Sequence, residues 1–289
     1  VLPPYSHLIV DEAHRLDEAA TDQLTYRIDW SWVLALLRRL TLDDTLMTQI
    51  HYLARQQELA EVQDQLNRVT RTAAQFTQQL GDFAERLLYF AQHQHDVRRD
   101  TGYSQQIHLD PRKRTQPQWT QIELIWEQAS SRLRLLVENL TKVLERLEQM
   151  RWRQREPEAT FLNELQGIHA QLQTLALHLD ELVFQDDEAD GGTVITWMEL
   201  NEEGNTVSLL IAPLYVNEIL EKTLTLPRRT VIFTGATLRT GSGFTFIRDR
   251  LGLWHATALT VDSPFDYASS TLLMMPHDLP LPEHPYYQQ

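Results

Sequence analysis

Apolar residues recur along the middle of the chain at steps that alternate between three and four. One run goes from Leu59 through Leu66, Ala73, Leu80 and Leu87 to Phe90, a second from Trp119 through Trp126, Leu133, Leu140 and Leu147 to Met150, and a third from Phe161 through Ile168 and Leu175 to Leu182. This is the heptad seam of helices that lie nearly parallel to one another. At 1.5 Å per residue the first two helices are expected to be roughly 45 Å long. A shorter apolar face, Val33, Leu36, Leu37 and Leu40, follows the Trp30/Trp32 pair. Four helices return the chain to where it left, so the pattern predicts an antiparallel four-helix bundle in a monomer, with an intermolecular coiled coil as the alternative.

Two connectors interrupt the bundle. Residues 91–118 form a link of 28 residues, beyond the roughly 12 to 15 at which structureless loops become uncommon. The second, "RWRQREPEAT", carries Pro157 and Thr160, which suit the end of one helix and the start of the next. After Asp190-Gly191-Gly192 the period changes. "TVITWMEL" and "VSLLIAPL" flank the turn-rich "NEEGNT" and predict a β-hairpin. A short helix is expected around Val216, Ile219 and Leu220, then a buried strand in "RRTVIFTGATL" and a helix in "GFTFIRDRLGL". The proline-rich tail has one strand candidate, Leu272 to Met275.

The opening of the chain differs from all of this. In "HLIVDEAHRLDEAAT", residues 7–21, an apolar strand ends in Asp11 and Glu12, with His14 two residues on. In open α/β sheets, ligands bind beyond the carboxyl ends of the strands. Nucleoside triphosphate chemistry needs one acid to hold Mg²⁺ and another to position the attacking water. Asp11 suits the first role and Glu12 the second, while His14 lies close enough to sense the γ-phosphate. The plainer alternative is that the two acids only cap and charge the helix that follows. A second strand ending in Thr234-Gly235-Ala236-Thr237 favours the nucleotide site.

Composition narrows the picture. There is no cysteine, which removes disulfides, thiolate metal sites and cysteine nucleophiles. His93 and His95 are too close for a helical metal pair, so no zinc site is expected. No run of about 18 apolar residues appears, so the chain is expected to be soluble, cytoplasmic and free of membrane contacts. The start without Met suggests a piece of a larger protein. The net charge is -14, so any nucleic-acid surface is local.

The segments "DEAH" with "RLDEAAT", a long helical insertion, "TVIFTGATL", "IRDRLGL" and "SPFDY...PHDLP" together resemble the DinG/XPD family of DNA helicases. The resemblance matches Asp11, Glu12 and His14 to the Walker B motif, and Thr234, Gly235, Ala236 and Thr237 to the third helicase motif, where the family usually has serine at the position of Gly235. It implies a mainly α, α+β chain in which an Arch-like long-helix bundle is inserted into a partial RecA-like parallel α/β motor domain. The implied boundaries are residues 1–22 for the Walker B part of the first motor domain, 23–190 for the Arch-like insertion, 191–258 for the return to the first motor domain, and 259–289 for the start of the second. The implied activity is ATP- and Mg²⁺-dependent translocation on single-stranded DNA, five-prime to three-prime. The implied partners are single-stranded DNA and the remaining motor segments of the parent. An iron-sulfur cluster, if the parent has one, would lie upstream of these residues.

None of the three lysines follows a glycine, so the chain lacks the Gly-Lys of a Walker A loop and is expected to be inactive alone. Candidate DNA contacts are Arg98, Arg99, Arg112, Lys113 and Arg114, with Trp119 as a stacking surface, although Trp119 also falls on the heptad seam. Arg151, Arg153 and Arg155 around Trp152 form a second basic cluster. The competing function is a stand-alone, non-enzymatic bundle that binds a protein partner or single-stranded DNA.

Overall fold

A computed structural model describes residues 4–42, 44–94, 103–150, 156–184, 193–241 and 243–275. The chain divides into a large unit ending at Leu253 and a small unit beginning at Trp254. The large unit opens with β1 (His7–Val10), a single 3₁₀ turn (Ala13–Arg15), α1 (Leu16–Leu24), β2 (Tyr26–Ile28), α2 (Trp30–Arg38) and α3 (Thr45–Gln56). Next come α4 (Ala60–Gln92), β3 (Gln105–His108), α5 (Pro111–Arg114), α6 (Pro117–Gln149) and α7 (Glu158–Phe184). It closes with β4 (Val194–Leu200), β5 (Val207–Pro213), α8 (Asn217–Leu220), β6 (Thr230–Phe233) and α9 (Thr245–Leu251). In the small unit the described residues hold α10 (Tyr267–Ser270).

The heptad positions of α4 and α6 form the seam between the two helices, and they are buried from Val62 to Phe90 and from Trp119 to Leu147. Phe90 meets Trp119 at one end of the pair, with ring centroids 5.3 Å apart, and Arg146 reaches Glu61 at the other, 2.7 Å away, so the two helices run antiparallel. Helix α7 returns along α6: Asp180 accepts a hydrogen bond from the Trp126 indole, and Gln166 donates to Glu148. Near-parallel packing of this kind follows from the 3,4 spacing, which keeps one apolar stripe facing its neighbour over the whole length.

The fourth face of the bundle differs from the expected single helix. It is made by α2 and by the additional helix α3, whose Leu46, Met47, Ile50 and Ala54 are buried. Asp29 and Asp44 cap these helices, each accepting a backbone N–H two residues on at 2.8 Å, which satisfies an otherwise orphaned donor. On α7 the first buried apolar position is Leu162, and Phe161 is only partly buried.

The hairpin expected after residue 193 is present as β4 and β5. It is the centre of a four-stranded antiparallel sheet, β2-β5-β4-β3, whose outer strands come from before the bundle and from the long connector. Strand β1 pairs instead with β6, in parallel, His7 opposite Thr230 through Val10 opposite Phe233. Residues 271–275 form no strand: Leu272, Leu273, Met274 and Met275 are exposed, and among the described residues no neighbouring strand supplies the hydrogen bonds that a β-ladder needs. Among the described residues, no helix is long and apolar enough to cross a membrane.

Two histidines make stability depend on pH. Burial pushes His51 on α3 and His169 on α7 below the usual imidazole value, and His169 Nε2 lies 2.8 Å from the Thr141 hydroxyl. The unfolded chain therefore takes up protons before the folded one does, and stability is retained above about pH 6.5 and falls as the pH drops toward the lowered folded values. Asp29 and Asp110 are held below the ordinary carboxylate range, mainly by hydrogen bonds from Ser31 and Lys113 respectively, so their contribution is lost only in more acidic solution. Thermal unfolding is expected to show a midpoint that falls between about pH 7 and pH 5, with the slope reduced in His51→Gln and His169→Gln. An unchanged slope in both variants contradicts this assignment.

Candidate nucleotide site

The parallel pair β1-β6 ends on both strands in a turn, and backbone hydrogen bonds join the two turns. Thr234 N–H donates to the Val10 carbonyl at 2.9 Å, and Ala13 N–H donates to the Thr234 carbonyl at 3.0 Å. The Asp11-Glu12-Ala13-His14 segment is thereby fixed against Thr234-Gly235-Ala236-Thr237. Ala13 is completely buried at the joint. A Cβ on Gly235 would touch the Glu12 backbone at 3.5 Å and the Ala13 nitrogen at 3.6 Å, so the glycine lies flat against the acidic turn with ordinary room for a small side chain.

Glu12 occupies the left-handed region, with φ 50° and ψ 41°. That conformation is uncommon for residues other than glycine and costs about 1 to 3 kcal/mol. It re-aims the chain by one step between strand and helix, leaving Asp11 and Glu12 exposed beyond the carboxyl end of β1. The Asp11 carboxylate accepts the Glu12 N–H at 3.0 Å. His14 Nδ1 lies 3.1 Å from a Glu12 carboxylate oxygen. The site therefore presents two solvent-exposed acids beside a partly buried imidazole. A Mg²⁺ ion typically takes one or two protein carboxylates and completes its shell with phosphates and water, and the exposed Asp11 fits that use. No cluster of three or more possible metal ligands occurs among the described residues.

A small core lies under the turns. Leu16 and Ala20 of α1, and Phe233 and Leu238, which flank the Thr234–Thr237 turn, all pack against a buried cluster that includes Ile247 and Leu251 of α9. Gly252 ends α9 in the left-handed conformation, where a Cβ would stand 2.4 Å from the Asn217 carbonyl oxygen. Glycine is required there by both the conformation and the space. The grooves on the bundle surface, one lined by Asp82, Arg86, Tyr89 and Ile125 and another by Arg134, Val137, Leu177 and Asp180, include no residue of either turn.

The basic candidates lie on and around α5. Arg112 is exposed. Lys113 reaches Asp110 at 3.3 Å and is largely buried. The Arg114 guanidinium donates to the carbonyls of Leu182 and Val183 at the end of α7, to the Leu109 carbonyl and to the Thr196 hydroxyl. It also stands over the Trp119 ring, 5.2 Å from the centroid. This places a cation on helix carbonyls that have no intrahelical partner, and it binds α7, the sheet and α6 together. Trp119 is completely buried, so its ring offers no face to a base. Arg98, Arg99, Arg151, Trp152, Arg153 and Arg155 lie outside the described residues. The joint between the acidic turn and Thr234, and the conformation of Glu12, had no signal in the residue pattern.

No protein-family model matches the chain. It is 24% identical over 268 residues to the probable ATP-dependent helicase YpvA of Bacillus subtilis, a match covering 92% of this chain and 33% of that protein. It is 25% identical over 300 residues to the 3'-5' exonuclease DinG of the same organism, covering 96% of this chain and 30% of the relative. A shorter match, 38% identical over 84 residues, is to the ATP-dependent DNA helicase YoaA of Haemophilus influenzae, covering 29% of this chain and 13% of that protein. The chain thus spans about a third of the length of the first two relatives. Two matches running over more than nine-tenths of its length, together with the third, support the resemblance of this chain to a segment of DinG-like helicases.

Proposed function

We propose that this chain is part of an ATP-dependent DNA helicase that moves along single-stranded DNA in the five-prime to three-prime direction. In this reading residues 1–22 and the β6–α9 region contribute half of a nucleotide site, residues 23–190 form an Arch-like insertion, and residues from 259 begin a second motor domain. The observation that carries the proposal is the pair of backbone hydrogen bonds joining the Asp11–His14 turn to Thr234 at the carboxyl ends of two adjacent parallel strands. Such ends are where α/β sheets bind ligands, and the acids there are solvated and aimed away from the core.

When bound, Mg²⁺ would neutralise phosphate charge. Asp11 would hold it. Glu12 would position and polarise the attacking water, and His14 would lie close enough to sense the γ-phosphate. The Thr234–Thr237 turn, bonded directly to Ala13, would carry any shift of the acidic turn to β6. Parallel sheets are normally covered on both faces, yet Ile9 and Ile232 are 68% and 49% exposed on one face of the β1-β6 pair. Further motor segments of the parent covering that face would account for this exposure. Of the basic candidates, Arg112 is the described residue best placed to meet DNA.

The test is ATP hydrolysis by the full gene product with and without single-stranded DNA. The proposal expects DNA-stimulated hydrolysis by the full product and none by residues 1–289 alone, because charge stabilisation by a phosphate loop supplies much of phosphoryl-transfer catalysis. DNA-stimulated hydrolysis by residues 1–289 alone, or no hydrolysis by the full product, contradicts it.

A further inference from the structure

Helix α1 begins at Leu16, directly after the turn that carries Glu12 and His14, so whatever fixes its first turn also fixes the acids. Asp17 stands in that first turn. Its side chain is only 14% exposed, and its carboxylate accepts a hydrogen bond from Arg250 Nε of α9 at 2.8 Å. Arg250 is itself placed by the Phe246 ring, whose centroid is 5.9 Å from the guanidinium carbon. The pair spans 233 residues of sequence. On the same helix, Leu16 and Ala20 contact the core that also holds Phe233 and Leu238 on either side of the Thr234–Thr237 turn. Helix α1 further packs against β5 of the antiparallel sheet.

The geometry points to Asp17 and Arg250 as a positioning pair that holds the Asp11–His14 turn in register with the Thr234 turn. This inference rests on the nucleotide-site reading above. Apolar contacts resist separation of α1 and α9 but are non-directional and leave the helix free to rotate or slide slightly. A charge-assisted hydrogen bond has a preferred direction and length, so it sets the rotation of the first turn of α1 and with it the aim of Glu12. Neither residue touches the reacting atoms. Removing the bond is therefore expected to misplace the acids without removing them, and a misplacement of about 1 Å in a catalytic group costs up to about 100-fold in rate.

The experiment uses the full gene product and four variants, Asp17→Asn, Arg250→Gln, the two combined, and Glu12→Gln as a control. Initial rates of DNA-stimulated ATP hydrolysis are measured over a range of ATP concentrations, beside thermal unfolding. Each single variant is expected to lower kcat about 10- to 100-fold with little change in KM. The combined variant is expected to be no worse than either single one, because both remove the same bond, and Asp17→Glu should recover part of the loss. Unfolding midpoints should move by only a few degrees, which separates misplacement from loss of fold. Singles that keep the wild-type kcat, or losses that multiply in the combined variant, overturn the inference while the nucleotide-site reading stands if Glu12→Gln is inactive. If Glu12→Gln hydrolyses ATP normally, the nucleotide-site reading fails and takes this inference with it.

Discussion

Trp126→Ala is expected to cost about 3 to 5 kcal/mol of stability. The side chain is fully buried on α6. Its ring lies 5.1 Å from Phe83 of α4, which in turn meets Trp30 of α2 edge-on at 5.9 Å. Its indole N–H donates to Asp180 of α7 at 2.8 Å, and the other carboxylate oxygen of Asp180 accepts from Arg134 at 2.6 Å. Truncation thus opens a cavity where α4, α6 and α7 meet and removes one partner from a carboxylate. Trp126→Phe keeps most of the volume but not the N–H, and should cost about 1 to 2 kcal/mol beyond the small change in packing. Leu177→Ala serves as the comparison: Leu177 is 70% exposed, and the change should stay within about 0.5 kcal/mol. Urea unfolding measures all three. A Trp126→Ala loss no larger than that of Leu177→Ala would contradict the packing described here.

Periodicity made the three long helices legible because each presents a stripe of more than six regularly spaced apolar residues. Helix α3 escaped that reading. It has only Leu46, Met47, Ile50 and Ala54 on its buried face, too few to establish a period beside the polar residues around them. Strands β2 and β3 are three and four residues long and pair with β5 and β4 across distant sequence, which local pattern does not report. The Leu272–Met275 stretch shows the converse, since an apolar run without a partner strand forms no strand.

The two turns could be found from the sequence because both acids and the Thr-Gly-Ala-Thr segment follow apolar strands. What joins them could not, since a bond between the Ala13 amide and the Thr234 carbonyl leaves no mark on side-chain identity. Arg114 illustrates another limit. Clustering with Arg112 and Lys113 suggests a phosphate contact, but the cluster spacing carries no record of the Leu182 and Val183 carbonyls, which lie about seventy residues away in the chain. Asp17 and Arg250 were individually unremarkable for the same reason.

The conformation of Glu12 ties stability to chemistry. A glutamate held at φ 50° is strained, and glycine adopts that region without steric cost, so selection for stability alone would favour glycine there. A positive φ recurs at Glu58, 55°, at the turn before α4, where no site residue lies nearby in sequence. Strain alone is therefore not diagnostic; at Glu12 it coincides with the joint between the two turns and with the imidazole of His14.

The most direct measurement is the steady-state rate of DNA-stimulated ATP hydrolysis by the full gene product carrying Glu12→Gln. The substitution keeps the size of the side chain and removes the carboxylate that would position the water. General-base and water-positioning groups contribute about 100- to 10,000-fold, so the rate is expected to fall at least about 100-fold while ATP still binds and the unfolding midpoint stays near that of the unaltered protein. A rate within about threefold of the unaltered protein, less than 1 kcal/mol in barrier, would show that the Asp11–His14 turn is not part of a hydrolytic nucleotide site.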